Sequence, residues 1–271
     1  MEAIKPFSNR RPLVFVLLIL LSWLLVGAVL VFGSAAVLDL SIIEDVPQMI
    51  GTLGSIFILL LIAWRLGWLK SIGITRLGNW KAWLITIPLL LYLVFAYSYG
   101  FFGDLSFDLG IFSHSETARQ LLLRQGIVCF VEETLFRGLI LYVLVKAWGG
   151  SKRGLIRSVV VQAFIFGAIH MLQAAGGSSL GTTLLVVLNG IVSGIWWAVL
   201  VLNWKSLWQV ILLHSLSNLF MQVKSLSSAA LEPAFLAYGR ATLFELPLAV
   251  LGIWLLLIMP LDRSVEDKPE G

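Results

Sequence analysis

The sequence predicts an all-α, polytopic membrane bundle of about eight transmembrane helices with a polar intramembrane cavity. Three observations lead there. Hydrophobic residues make up 59% of the 271 positions and charged residues 13%, about half the charge of an ordinary soluble domain. Mean hydropathy is +0.96. The apolar residues, 11 Trp among them, gather into runs that approach or exceed the ~20 residues a helix needs to cross a bilayer.

The first run, about 13–37, follows Lys5, Arg10 and Arg11, in the manner of a secretory signal. Its apolar length of roughly 25 residues exceeds the 7–15 of a signal core, so it reads as an uncleaved anchor. Runs at about 48–69, 82–102 and 120–147 follow, then 155–173, 182–203, 206–223 and 240–261. The fifth and seventh are short for a perpendicular crossing and carry polar residues, which suits helices lining a cavity. The tail 262–271, "DRSVEDKPEG", is polar and expected to be disordered. One membrane domain, 1–271, accounts for the chain, with its motif-bearing core at about 118–220.

Charge sets the orientation. With the N-terminus inside, the cytoplasmic segments hold about fourteen Lys and Arg and the outer segments about four, Arg119, Arg124, Lys224 and Arg240. That asymmetry is what the positive-inside rule requires, and it puts both termini in the cytoplasm. The net charge of +4 therefore reads as topology, not as a nucleic-acid surface. One cysteine, Cys129, excludes an intramolecular disulfide and a thiolate zinc cluster. It reads as a small buried hydrophobe.

Removing the residues that belong in lipid leaves a short polar list. The fourth run, "FVEETLFRG", carries Glu132, Glu133 and Arg137; the fifth carries Gln162 and His170; the sixth Asn189 and Ser193; the seventh, "ILLHSLSNLF", carries His214, Ser215, Ser217 and Asn218. A charge at the bilayer centre costs a few kcal/mol or more (about 2.5–3.5 on insertion scales). Three in six residues need a purpose. Glu133 and Arg137 are four apart, share a helix face and can pair, a supporting role. Glu132 is turned about 100° away and must face something else. His214 and Asn218 repeat the four-residue interval, as do Phe166 and His170. At about 1.5 Å of rise per residue, Glu132 and His170 lie roughly 21 and 22 Å from the inner side, and His214 and Asn218 roughly 12 and 18 Å. The depths overlap. Asn189, Ser193, Ser217 and Gln162 read as interhelical hydrogen-bonding residues, and His114 in an outer loop carries no assignment.

A carboxylate and two imidazoles in a dry site are suited to hydrolysis. Glu132 could take a proton from water, and a histidine with an asparagine amide could donate to an oxyanion. Glu132, His170 and His214 could equally hold zinc with an open position for water. Spacing alone leaves both open.

The motifs carry a resemblance. "EETLFR" fits E-E-x-x-x-R, "FGAIH" fits F-x-x-x-H and "HSLSN" fits H-x-x-x-N. In this order, on successive membrane helices, they resemble the CPBP family: type II CAAX prenyl endopeptidases and bacterial relatives linked to bacteriocin processing and self-immunity. The resemblance implies that Glu132 activates the attacking water, with His170 against the same water. It implies that His214 and Asn218 support the oxyanion, with Glu133 and Arg137 in supporting positions. Both metal-dependent and metal-free glutamate mechanisms are argued for the family. The glutamate version is favoured here, with zinc on Glu132, His170 and His214 as the alternative.

Other intramembrane proteases lack their signatures. No histidine begins an H-E-x-x-H, no G-x-S-x-G elbow occurs, and no Asp falls within a predicted span. The expected activity is cleavage of a peptide bond in a membrane-associated peptide or lipidated protein at the cell membrane. A non-catalytic immunity or assembly protein is the alternative. A proton-coupled transporter is a weaker one, since no pair of Gly/Pro-broken spans recurs in two halves.

Overall fold

The computed structural model describes residues 4–95, 115–227 and 234–258, and the regular structure there is helical. A short helix α1 (Ile4–Arg10) stops before Arg11, and Pro12 opens α2 (Pro12–Leu38). Proline fits a first turn because its missing N–H has no partner there in any helix. α2 ends where Asp39 turns left-handed, with φ 54°. α3 (Asp45–Arg65) returns across the molecule.

Side-chain caps start four of the next helices, each supplying an acceptor to an otherwise unpaired backbone N–H. Asn79 accepts from the Ala82 amide at 2.8 Å and opens α4 (Trp80–Val94). The third expected run continues to about 102, beyond the described residues. Ser115 caps α5 (Glu116–Glu133). The rod then continues through a π-helical segment (Thr134–Ile140) into α6 (Leu141–Trp148). Ser151 caps α7 (Lys152–Ile169), and a single turn α8 (Leu172–Ala175) follows. Ser179 caps α9 (Leu180–Trp204), which ends at left-handed Lys205. α10 (Trp208–Ser227) and α11 (Ala234–Ile258) complete the bundle.

Among the described residues, each expected run overlaps helical structure. Five helices are long and apolar enough to cross a membrane: Pro12–Leu38, Asp45–Arg65, Lys152–Ala175, Leu180–Trp204 and Phe235–Ile258; a sixth, Trp80–Leu93, is apolar but shorter. The chain is an integral, multi-pass membrane protein. Two details differ. The fifth run, expected over about 155–173, lies within the span Lys152–Ala175, and the helix is interrupted by a turn at His170 and Met171. The last helix begins at Ala234, ahead of the expected 240.

α9 is the central post, packed between α7 and α11; α2 pairs with α3, and α5 with α10. Small residues let α7 and α9 meet backbone to backbone. A Cβ on Gly194 would stand 2.9 Å from the Ala163 Cα, and one on Gly190 would stand 3.1 Å from the Gly167 Cα. This close approach is the usual means of helix association in lipid, where apolar burial between helices offers little drive. α2 lies at the rim, with only 11% of its apolar window buried and Leu17, Leu21, Leu25 and Phe32 facing outward.

The connection 66–79 fixes the height of α10. Trp68 and Ile72 are buried, and the Leu207 amide donates to the Gly73 carbonyl at 3.3 Å. Trp208 Nε1 donates to the Ile74 carbonyl at 3.0 Å, and Gln209 Nε2 donates to the Leu77 carbonyl at 2.9 Å. Gly73, at φ 82°, passes so close to the Ser206 backbone that a Cβ would sit 3.2 Å from its Cα. His214, less than two turns beyond these anchors, inherits a fixed position.

Candidate active site

The site lies where α5 meets the π segment, against α7, α9 and α10. Glu132 and Glu133 end α5, immediately before the wider turn. Such turns occur mostly inside α-helices at functional positions. Glu133 is fully buried, and its Oε1 pairs with Arg137 Nη1 at 2.9 Å across one turn. The expected four-residue ion pair is present. The same Oε1 lies 2.7 Å from His214 Nδ1, on α10. An ionised carboxylate can only accept, so Nδ1 carries the proton in that contact.

With Nδ1 engaged, His214 presents Nε2 to the site. Glu132 Oε2 stands 3.8 Å from that nitrogen, beyond hydrogen-bond length but within reach of a small side-chain adjustment. Glu132 is the more accessible of the two acids, with 23% of its side chain exposed against 0% for Glu133. The adjacent glutamates thus approach one imidazole from its two nitrogens. One is sealed in with an arginine; the other is open to reactants.

Phe166 is the hub between α7 and the acids. The Arg137 guanidinium lies 3.9 Å over its ring, a cation–π contact that is strengthened by desolvation. Phe136 and His170 meet its ring edge to face at 4.9 Å each, and His214 does so at 6.2 Å. His170 caps α7 and is half-buried; its Nδ1 lies 2.8 Å from the Phe166 carbonyl oxygen. That acceptor fixes the Nδ1–H tautomer and leaves Nε2 as a lone pair. Trp197 of α9 stacks on the other side of His214, 6.1 Å away and tilted 25°.

Asn218, one turn after His214, donates from Nδ2 to Cys129 Sγ at 3.4 Å. Cys129 is fully buried, as expected of a small hydrophobe, and it also serves as the acceptor that orients Asn218. A cavity of about 20 Å³, room for about one water, adjoins His214 and Asn218. Asn189, Ser193 and Ser217 also line it, so these three face the site's surroundings rather than serving only as contacts between helices. Gln162 is buried and makes no hydrogen bond among the described residues, so the interhelical role expected of it is not seen. His114 lies outside the described residues.

One polar residue escaped the sequence reading. Glu245 of α11 is 2% exposed, accepts from Asn189 Nδ2 at 3.0 Å, and lines the same cavity. Its signal was available: a lone acid in the apolar stretch "LFELPLAV".

Glu132, His170 and His214 do not close into a ligand set. Among the described residues, no three His, Cys, Asp or Glu side chains converge as metal ligands. His214 Nε2 approaches Glu132, whereas His170 Nδ1 is engaged by a carbonyl of its own helix.

Comparison with known proteins bears on residues spanning all three motifs. A sequence model of the family described as type II CAAX prenyl endopeptidase Rce1-like matches residues 114–220. No curated protein and no solved structure shows significant similarity to the chain.

Proposed function

We propose that this chain, whose residues 114–220 match the family model described as type II CAAX prenyl endopeptidase Rce1-like, hydrolyses a peptide bond of a membrane-associated or lipidated substrate with water activated by Glu132. The observation that carries the reading is the placement of two adjacent acids around one imidazole. Glu133, neutralised by Arg137, grips His214 at Nδ1, while Glu132 faces Nε2 from the exposed side.

The chemistry follows from those positions. Glu132 takes a proton from water as the water oxygen attacks the scissile carbonyl carbon. His170 Nε2, aligned by the Phe166 carbonyl, accepts a second hydrogen bond from that water. The carbonyl oxygen becomes an oxyanion and is met by the Asn218 amide and by His214. A neutral His214 with its proton on Nδ1 has no hydrogen on Nε2, so it donates to the oxyanion as the imidazolium. Glu133, at Nδ1, supplies the negative partner that this form requires, while Glu132 holds the proton taken from water. When the carbon–nitrogen bond breaks, Glu132 returns its proton to the departing amine. These steps are written for water activated by Glu132; the alternative, zinc held by Glu132, His170 and His214, would make cleavage sensitive to a chelator.

An acid set among apolar membrane helices, with 23% of its side chain exposed, suits a peptide carried by a lipid or apolar anchor. The test uses purified protein in lipid nanodiscs with a farnesylated CAAX peptide and an unprenylated membrane-anchored peptide as probes. Glu132→Gln, nearly isosteric, is expected to fold and to lower cleavage at least a hundredfold. Full turnover by that variant would remove Glu132 from the mechanism. Cleavage of neither probe by the native protein, with loss of biological activity confined to loop variants, would favour the immunity or assembly role instead.

A further inference from the structure

Glu245 lies outside both the three motifs and the matched region 114–220. A buried acid on a membrane helix is costly and rarely incidental. Glu245 joins α11 to α9 through Asn189, and its surroundings point to a further role. The cavity it fronts is walled by Asn189, Ser193, His214, Ser217 and Asn218 as well. A buried water needs room for one probe sphere and two to four polar partners, and this space supplies both. Trp197 and Met221 close the apolar remainder.

We propose that α11 completes the site: Glu245, seated on Asn189, holds an ordered water that hydrogen-bonds to the Asn218 carboxamide and lies against the His214 ring, which makes Glu245 a positioning residue for the two groups facing the oxyanion. Its effect on turnover rests on the endopeptidase reading above; the water-mediated contact does not.

The test compares Glu245→Gln, Glu245→Asp and Ser217→Val, the last filling the cavity without touching the Glu245–Asn189 pair. Two readouts are taken in nanodiscs: kcat and KM on the farnesylated CAAX peptide, and side-chain ¹⁵N spectra of histidine-labelled protein. The chain has 3 histidines, and His214→Gln assigns the relevant signal. Glu245→Gln and Ser217→Val are expected to lower kcat roughly tenfold, less than loss of a direct oxyanion donor, with KM within about twofold. Both should shift the His214 ring resonances and leave those of His170 in place, while Glu245→Asp recovers part of kcat. A purely structural clamp would lower the melting temperature of Glu245→Gln and leave kcat and the His214 resonances unchanged, and that result overturns the proposal. If Glu245→Gln does not fold, unchanged His214 resonances in Ser217→Val overturn it alone. Should the native protein cleave no peptide, the endopeptidase reading fails separately, and the spectra still decide whether Glu245 acts on His214.

Discussion

Arg137 shows how one residue makes an expensive site tenable. Its guanidinium is fully buried, paired with Glu133 on one side and stacked on Phe166 on another. Removing a partner from a buried ion pair leaves an uncompensated charge, which typically costs about 3–5 kcal/mol. Arg137→Ala is therefore expected to lower stability by about that much, measured by thermal unfolding in detergent. It should also weaken activity in the molecules that remain folded, because Glu133 would lose the counter-charge that lets it hold His214. Arg137→Lys keeps the charge but not the planar stack on Phe166, so it should fall between the two. Equal stability of all three proteins would show that Glu133 is held by something else. Cys129 illustrates a smaller point at this scale. Its burial was readable from its setting, but its service as an acceptor for Asn218 depends on α10 arriving beside α5, which no local spacing states.

At the level of elements, the close α7–α9 contact sets the location of His170. Gly190 lies where a Cβ would meet the Gly167 Cα at 3.1 Å and His170 Nδ1 at 3.5 Å. Gly190→Val should force the helices apart, costing about 1–3 kcal/mol as overpacking does, and should pull His170 away from the site. Cleavage of the farnesylated peptide is expected to fall more than tenfold while nanodisc-reconstituted protein remains monodisperse. Retained cleavage would mean that α7 can shift without moving its cap.

Much of this level was legible beforehand. The apolar runs located the helices, and the serine and asparagine caps explain where several begin. The Glu133–Arg137 pair followed from four-residue spacing alone, as did the stacking of Phe166 against His170. Two features were not legible. The π segment cannot be told from an α-helix by apolar periodicity over seven residues, since it changes the turn by less than one residue. Glu245 passed unnoticed because it belongs to none of the three motifs and lies at the start of the last apolar run. Its partner, Asn189, lies on another helix 56 positions away.

For the whole molecule, charge and aromatics agree on a direction. Arg65 lies over Trp64, Lys81 over Trp80, Lys146 beside Trp68 and Tyr142, and Arg157 over Trp148, at 4.0–5.9 Å. Every one of these cations belongs to the segments expected in the cytoplasm. Aromatic rings with attached cations gather at the headgroup level, where one end of the pair is apolar and the other wet. Both termini are accordingly expected inside. Green fluorescent protein fused to either end should fluoresce, and alkaline phosphatase fused there should be inactive. Active phosphatase at the C-terminus alone would mean an odd number of crossings and would reverse part of the bundle.

The wide turn at Thr134–Ile140 has a consequence for the rod that contains it. It works as an angular offset between two halves that serve different neighbours. The N-terminal half sends Glu132 and Glu133 toward His214; the C-terminal half sends Leu139, Val143 and Leu144 into the packing against α2, α3 and the 66–79 connection. Excising a single amino acid there would rewind the rod by about 100°, and one half could keep its neighbours only by surrendering those of the other.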